Sequence, residues 1–148
     1  MTRYPPQSHE PFPAHLYAGV PIRRGVAWVI DTVFIAVLAA LVLPFTAFTG
    51  VFFFPFLMLM VGFLYRWWSI AAGSATWGMR LVGIRLRDAG GHDLTGSLAF
   101  AHTFGYSVSV AMAPLQLISV IMMLVTERGQ GLTDMLLGTE AINAVRAP

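Results

Sequence analysis

Two features dominate the order of apolar and charged positions. No charged side chain lies between Asp31 and Arg66, and none lies between Asp93 and Glu127. Within the first gap, a run from about Gly25 to Leu43 is followed by the uncharged turn PFTAFTG and a second run from about Val51 to Trp68. Nineteen helical residues at about 1.5 Å each reach roughly 28 Å, close to the thickness of a hydrocarbon core. Pro44 and Gly50 bracket the turn, so the pattern predicts a transmembrane helical hairpin. The second gap predicts a third apolar segment from about residue 97 to 125. It spans roughly 43 Å as a helix, too long for one untilted span and too short for two. Pro114 sits in its middle, so the segment is either one kinked span or a re-entrant pair.

Between the two gaps the pattern changes. Residues 69–97 carry Arg80, Arg85, Arg87, Asp88 and Asp93. SATWGMRLV predicts a short helix lying at the membrane surface, with Ser74 as its N-cap. GIRLRDAGGHDL alternates apolar and charged positions around a Gly-Gly turn, which predicts a small β-hairpin. Residues 1–22 hold five prolines and no apolar core, and are expected to form an extended or disordered tail rather than a cleavable signal. The fold class is therefore an all-α membrane protein. It has a tail over residues 1–22, a membrane domain over 23–143 and a short C-terminal tail over 144–148.

Composition agrees with the pattern. The chain is 57% hydrophobic and only 11% charged, against about a quarter charged in soluble domains. A surface so poor in charge calls for lipid as its solvent. The basic residues are all arginine, with a net charge of +2, too few and too scattered for a nucleic-acid partner. There is no cysteine, which excludes disulfides and thiolate metal sites. The histidines lack ligand-like spacing, so neither metal nor cofactor is expected. Three arginines precede the first run and four lie in the 66–97 loop, whereas the 44–50 turn has none. The positive-inside rule then places the N-terminus and the long loop in the cytoplasm.

Tyr65, Arg66, Trp67 and Trp68 end the second run, and Trp77 stands in the short helix. Rings with one apolar and one wet part, with an arginine able to snorkel, are expected as interfacial anchors. Asp31 is the costly residue, since a carboxylate within an apolar run must face protein or water. It is either a structural acid paired with an arginine, Arg24 being two turns away, or a proton or cation site. In the third segment His102, Tyr106, Ser109, Ala113 and Gln116 follow steps of four, three, four and three, which puts a polar stripe on one helix face. The stripe serves either hydrogen bonding between helices or a conduction path, and a pairing of His102 with Asp31 is conceivable. No Ser-His-Asp set, paired catalytic carboxylates or nucleotide motif is present, so no enzyme activity is expected.

Three stretches carry a resemblance. RRGVAWVID at residues 23–31, GSATWGMRLVGIRLRDAGG at 73–91 and RGQGLTDMLLGTEAI at 128–142 resemble the three motifs of the RDD family of small bacterial membrane proteins, in the family's order. The resemblance covers about residues 20–143. It implies that Arg24 is the family arginine, Asp31 its first aspartate and Asp134 its second, with Asp88 the alternative. It also implies a polar cluster of Arg24, Asp31 and Asp134 at the cytoplasmic membrane boundary of a bacterial inner membrane. Thr133 stands where the family usually has histidine, and Met79 where a basic residue precedes Arg80. The expected partners are the lipid bilayer together with further copies of the chain or other membrane-complex subunits. Two functions follow as expectations: transport of an ion or small solute by a homo-oligomer, or an accessory or assembly role in a larger membrane complex.

Overall fold

A computed structural model describes residues 12–144 of the chain. Among the described residues two helices are long and apolar enough to cross a membrane, or three segments if a bent pair counts as one span. The first, α1 (Val20–Val42), starts after Gly19 in the left-handed conformation and carries Pro21 in its first turn, where a missing N–H costs nothing. Two 3-10 turns, Leu43–Thr46 and Thr49–Val51, carry the chain over. The second helix, α2 (Phe54–Gly73), again begins on a proline. It ends where Ser74 turns left-handed with φ of 53° and returns its N–H to Ile70. Ser74 therefore closes α2 instead of capping the next helix. The guanidinium groups of Arg80 and Arg85 donate to the carbonyls of Ser69 and Gly73, satisfying the last turn of α2.

The inner stripe of α1 is Ala27, Asp31, Ile35 and Ala39 at strict four-residue steps, all buried. Ile35 packs on Gly62 of α2. The opposite stripe, Val29, Val33, Val37 and Leu41, is exposed. Large apolar side chains outside and polar ones inside reverse the pattern of a soluble domain, as lipid requires.

Beyond α2 lies a short helix, α3 (Trp77–Val82), capped by Thr76, whose hydroxyl accepts from the Met79 N–H. Strand β1 (Ile84–Arg87) follows. The third apolar segment is broken: α4 (Gly96–Ala111) and α5 (Ala113–Val125) meet at an angle of 116°. Met112 is extended at the break, and Pro114 opens α5, because proline can begin a helix but cannot continue one. A bend beyond a right angle turns the chain back toward the side from which it came. Helix α6 (Leu132–Leu137) and strand β2 (Glu140–Asn143) complete the chain.

Strand β2 pairs antiparallel with β1, with Ile84 opposite Asn143 and Arg87 opposite Glu140. The two-stranded element expected in the loop is present, but its second strand comes from the C-terminus. Residues 88–92 form instead a tight turn in which the Asp88 N–H donates to the His92 carbonyl. The sheet and α3 share a core with the start of α1: Val20, Ala27, Met79, Ile84, Leu86 and Ala141. Leu16 and Tyr17 pack on Ile142. Residues 12–22, expected in an extended tail, form a 3-10 turn and the first residues of α1, while residues 1–11 and 145–148 lie outside the described part. The start of α1, the loop after α2 and strand β2 thus lie together on one side of the bundle, and the third segment is a bent pair of helices.

Candidate functional site

Asp31 sits opposite the N-terminus of α3. Its Oδ1 accepts from the Tyr65 hydroxyl at 2.7 Å and the Gly78 N–H at 2.9 Å. Its Oδ2 accepts from the Thr76 hydroxyl at 2.6 Å and faces the Arg66 guanidinium at 3.5 Å. The same groups finish the helix end, since Tyr65 also accepts from the Trp77 N–H and Thr76 from that of Met79. A carboxylate here complements the exposed N–H groups of a first helical turn. A Cβ on Gly78 would stand 2.8 Å from Asp31 Oδ1, so only glycine allows α1 and α3 to approach this closely.

A second network surrounds Asp134. Oδ2 pairs with Arg24 at 2.6 Å and accepts from the Gly131 N–H at 3.1 Å. Oδ1 meets His102 Nε2 and the Thr139 hydroxyl, each at 2.9 Å. Burial by itself raises this carboxyl group, but the Arg24 charge, the His102 bond and the Gly131 N–H outweigh it and hold Asp134 well below the usual carboxylate range. One acid thereby ties α1, α4 and the C-terminal turn together.

The single cluster of Arg24, Asp31 and Asp134 expected from the resemblance is in fact two networks. Arg24 pairs with Asp134, Asp31 takes Arg66, and His102 bonds to Asp134 rather than Asp31. Asp88 follows the end of β1, and its carboxylate accepts from the Gly90 and His92 N–H groups of its own loop. Tyr65 and Arg66, expected as interfacial anchors, belong to the Asp31 network; Arg66 is only 7% exposed and does not snorkel. Trp68 and Trp77 are exposed, and Trp67 donates to the carbonyl of Gly96.

Both networks border a cavity of about 360 Å³ between α1, α2, α4 and α5, with Arg24, Asp31, Arg66 and His102 in its wall. Tyr106 and Gln116 also line it. Ser109, the remaining member of the expected stripe, turns its hydroxyl back to the carbonyls of Gly105 and Tyr106. Gln116 lies beyond the break, so the stripe does not continue along a single helix face. A second cavity of about 430 Å³ lies further along the same helices, beside Thr32, Gly62 and Ser107. Trp28, Arg66 and Tyr106 belong to both walls. There the Arg66 guanidinium lies 4.4 Å from the Tyr106 ring centroid, and Trp28 Nε1 donates to the Tyr106 hydroxyl at 2.7 Å. The three side chains form a partition between the cavities.

Thr76, Gly78 and Thr139 were not singled out from sequence as site residues, and Tyr65 was expected only as an interfacial anchor. Thr76 carried a usable signal, being a hydroxyl residue directly before a helix-forming run; the others take their roles from partners more than thirty residues away or, for Thr139, from the closing turn of α6. Among the described residues, no three histidine or acidic side chains gather as a metal site.

No curated protein and no solved structure matches the chain. The family model of the RDD family matches residues 18–138, a stretch that contains Arg24, Asp31 and Asp134 and every partner of the two acids except Thr139. With most of its length covered, the chain belongs to the RDD family.

Proposed function

We propose that the protein transports a small solute across a bacterial inner membrane, as a homo-oligomer with its N-terminus in the cytoplasm. The observation that carries this reading is the pair of cavities in series along α1, α2 and α4, divided by the Trp28–Arg66–Tyr106 partition. Irregular backbone at the α4–α5 break is tolerated within a membrane where it lines a cavity. The ionised groups beside the first cavity are matched as Arg24–Asp134 and Arg66–Asp31, which favours a solute over a free ion. Arg80, Arg85 and Arg87, in the stretch that follows α2, support the orientation.

Because the chain lacks cysteine, single-cysteine variants test this directly. Gln116→Cys, in the first cavity, should react with a membrane-impermeant thiol reagent from one face. Ser107→Cys, in the second, should react from the other face. Modification of Ser107→Cys only by a lipid-soluble maleimide would mean that the second cavity opens to lipid, and transport would be rejected.

A second reading, an accessory or assembly subunit, has its own support. Phe63, Trp67, Phe100 and Phe104 form a ladder of ring contacts across α2 and α4, and three of these rings are exposed. Exposed aromatic surface is common at protein contacts. Native mass spectrometry after gentle extraction separates the readings: homo-oligomers accord with transport, and a stoichiometric complex with unrelated chains accords with assembly.

A further inference from the structure

Positive charge at the loop end of the bundle is only partly matched. Among the described residues Arg24, Arg66, Arg87 and Arg128 each pair with an acid, whereas Arg23, Arg80 and Arg85 have no acidic partner. Arg23 donates to the Val82 carbonyl at the end of α3. Arg80 and Arg85 come together elsewhere, at the end of α2. Arg80 Nη2 donates to the Ser69 carbonyl and stands 2.7 Å from where a Cβ on Gly73 would lie, and Arg85 donates to the Gly73 carbonyl itself. The carbonyl end of a helix carries roughly half a unit of negative charge, so two guanidinium groups leave it strongly positive.

Both side chains are placed by the fold. Strand β1 buries Ile84 and Leu86 and turns Arg85 to its other face. Arg80 is exposed and lies over the Trp77 ring, 5.7 Å from its centroid, a cation–π contact that holds the guanidinium at the level of the ring. Trp77 is itself exposed, as are Trp68 and Leu81 at the same end of the bundle. Tryptophan favours headgroup depth, which sets the Arg80–Arg85 pair at the height of lipid phosphates. The last turn of α2 offers Ala71, Ala72 and Gly73, both alanines exposed, so that turn puts no large side chain over the pair. Each guanidinium is a fork of N–H donors and spends a single one of them on the helix end.

We propose that Arg80 and Arg85 form a binding site for the phosphate of an anionic phospholipid, in the leaflet at this end of the bundle. Guanidinium forks match the oxygens of a phosphate, and the charge on both partners shortens and strengthens the bonds. A zwitterionic head would bring an ammonium group, and the nearby loop has no free acid to receive it. Asp93 is taken by Arg87, and Asp88 accepts from the Gly90 and His92 N–H groups. The head that fits therefore carries net negative charge. This site lies apart from both cavities and does not depend on the transport reading.

The test is lipid binding to the full chain in detergent, resolved by native mass spectrometry, with phosphatidylglycerol and phosphatidylethanolamine as probes. The parent chain should bind phosphatidylglycerol about tenfold or more tightly than phosphatidylethanolamine. Each of Arg80→Gln and Arg85→Gln should lower that preference several-fold, and the double variant should remove it. Glutamine keeps an N–H donor for the Ser69 and Gly73 carbonyls, so the helix end stays bonded. Arg23→Gln removes the same charge from the end of α3 and should leave the preference nearly unchanged. Equal binding of the two lipids by the parent chain would overturn the proposal without recourse to any variant. A preference that survives the double change, or that Arg23→Gln lowers as much as either single change, would overturn it in favour of diffuse attraction by the whole basic face. Displacement of phosphatidylglycerol by millimolar inorganic phosphate would overturn the lipid assignment and give the pair to a soluble phosphate.

Discussion

Gly78 donates its N–H to Asp31 from a position where a single added methyl group would stand 2.8 Å from the carboxylate oxygen and run into the backbone of α1. Helix α3 is therefore docked by contact between backbone and an acid, not by side-chain interdigitation. Gly78→Ala should cost about 2–3 kcal/mol as α1 and α3 are forced apart. Thermal unfolding in detergent, read by tryptophan fluorescence, measures this; an unchanged midpoint would contradict the docking geometry.

Asp31→Asn is nearly isosteric, yet it removes the charge that faces Arg66 and places an amide donor against the Tyr65 and Thr76 hydroxyls or the Gly78 N–H. Breaking a buried charged network on one side costs about 3–5 kcal/mol. The expected outcome is low yield of folded protein, partly recovered in the double variant Asp31→Asn with Arg66→Met. If the single variant purifies with normal yield and stability, Asp31 does not hold α3.

The Arg24–Asp134 network has a defined pH window. The Asp134 carboxyl is lowered in the folded protein, so the unfolded chain takes up its proton first as pH falls. Its contribution is fully present above the ordinary carboxylate range near about pH 4 and is lost as pH drops through the lower folded value. Stability contributed by this group should be flat from pH 8 to about 5 and decline below about 4. Asp134→Asn should abolish that component of the acid slope in a series of unfolding midpoints against pH.

Tyr106→Phe keeps the ring under Arg66 and removes the hydroxyl that Trp28 bonds. The loss in stability should be small, about 1 kcal/mol or less. The partition should loosen, so Ser107→Cys in this background should react faster with the impermeant reagent than in the parent. An unchanged rate would remove the Trp28–Tyr106 bond from the control of access.

Pairing of β1 with β2 places the loop and the C-terminal strand on one side. Single cysteines at Ala89 and at Ala144 should both be modified by an impermeant reagent from the same face of sealed vesicles. Labelling from opposite faces would require the third segment to cross completely.

The membrane hairpin was legible because it is written in local composition. A charge-free run of sufficient length between two turn signals permits few structures, since lipid demands that every backbone group be bonded within the segment. The same holds for the short helix after α2 and for the extended stretch at β1, which depend on spacing among neighbours. The importance of Asp31 was legible as well, because a carboxylate in an apolar run is costly wherever it goes.

Its partner was not. Arg24 is two turns away on the same helix, but Arg66 is supplied by α2 and Arg24 is taken by an acid 110 residues later. Choices of this kind depend on which elements come to lie side by side. The 116° turn at Met112 and Pro114 was equally open, because proline permits a kink or a break and does not select between them. What selected the break was the return of β2 to β1, together with Asp134 meeting His102 and Arg24. Sequence by itself determined which segments leave water and which residues need partners, because transfer to lipid is a property of each segment alone. Tertiary structure decided who the partners are, and on which side the chain ends, because those are properties of pairs brought together only by the packed bundle.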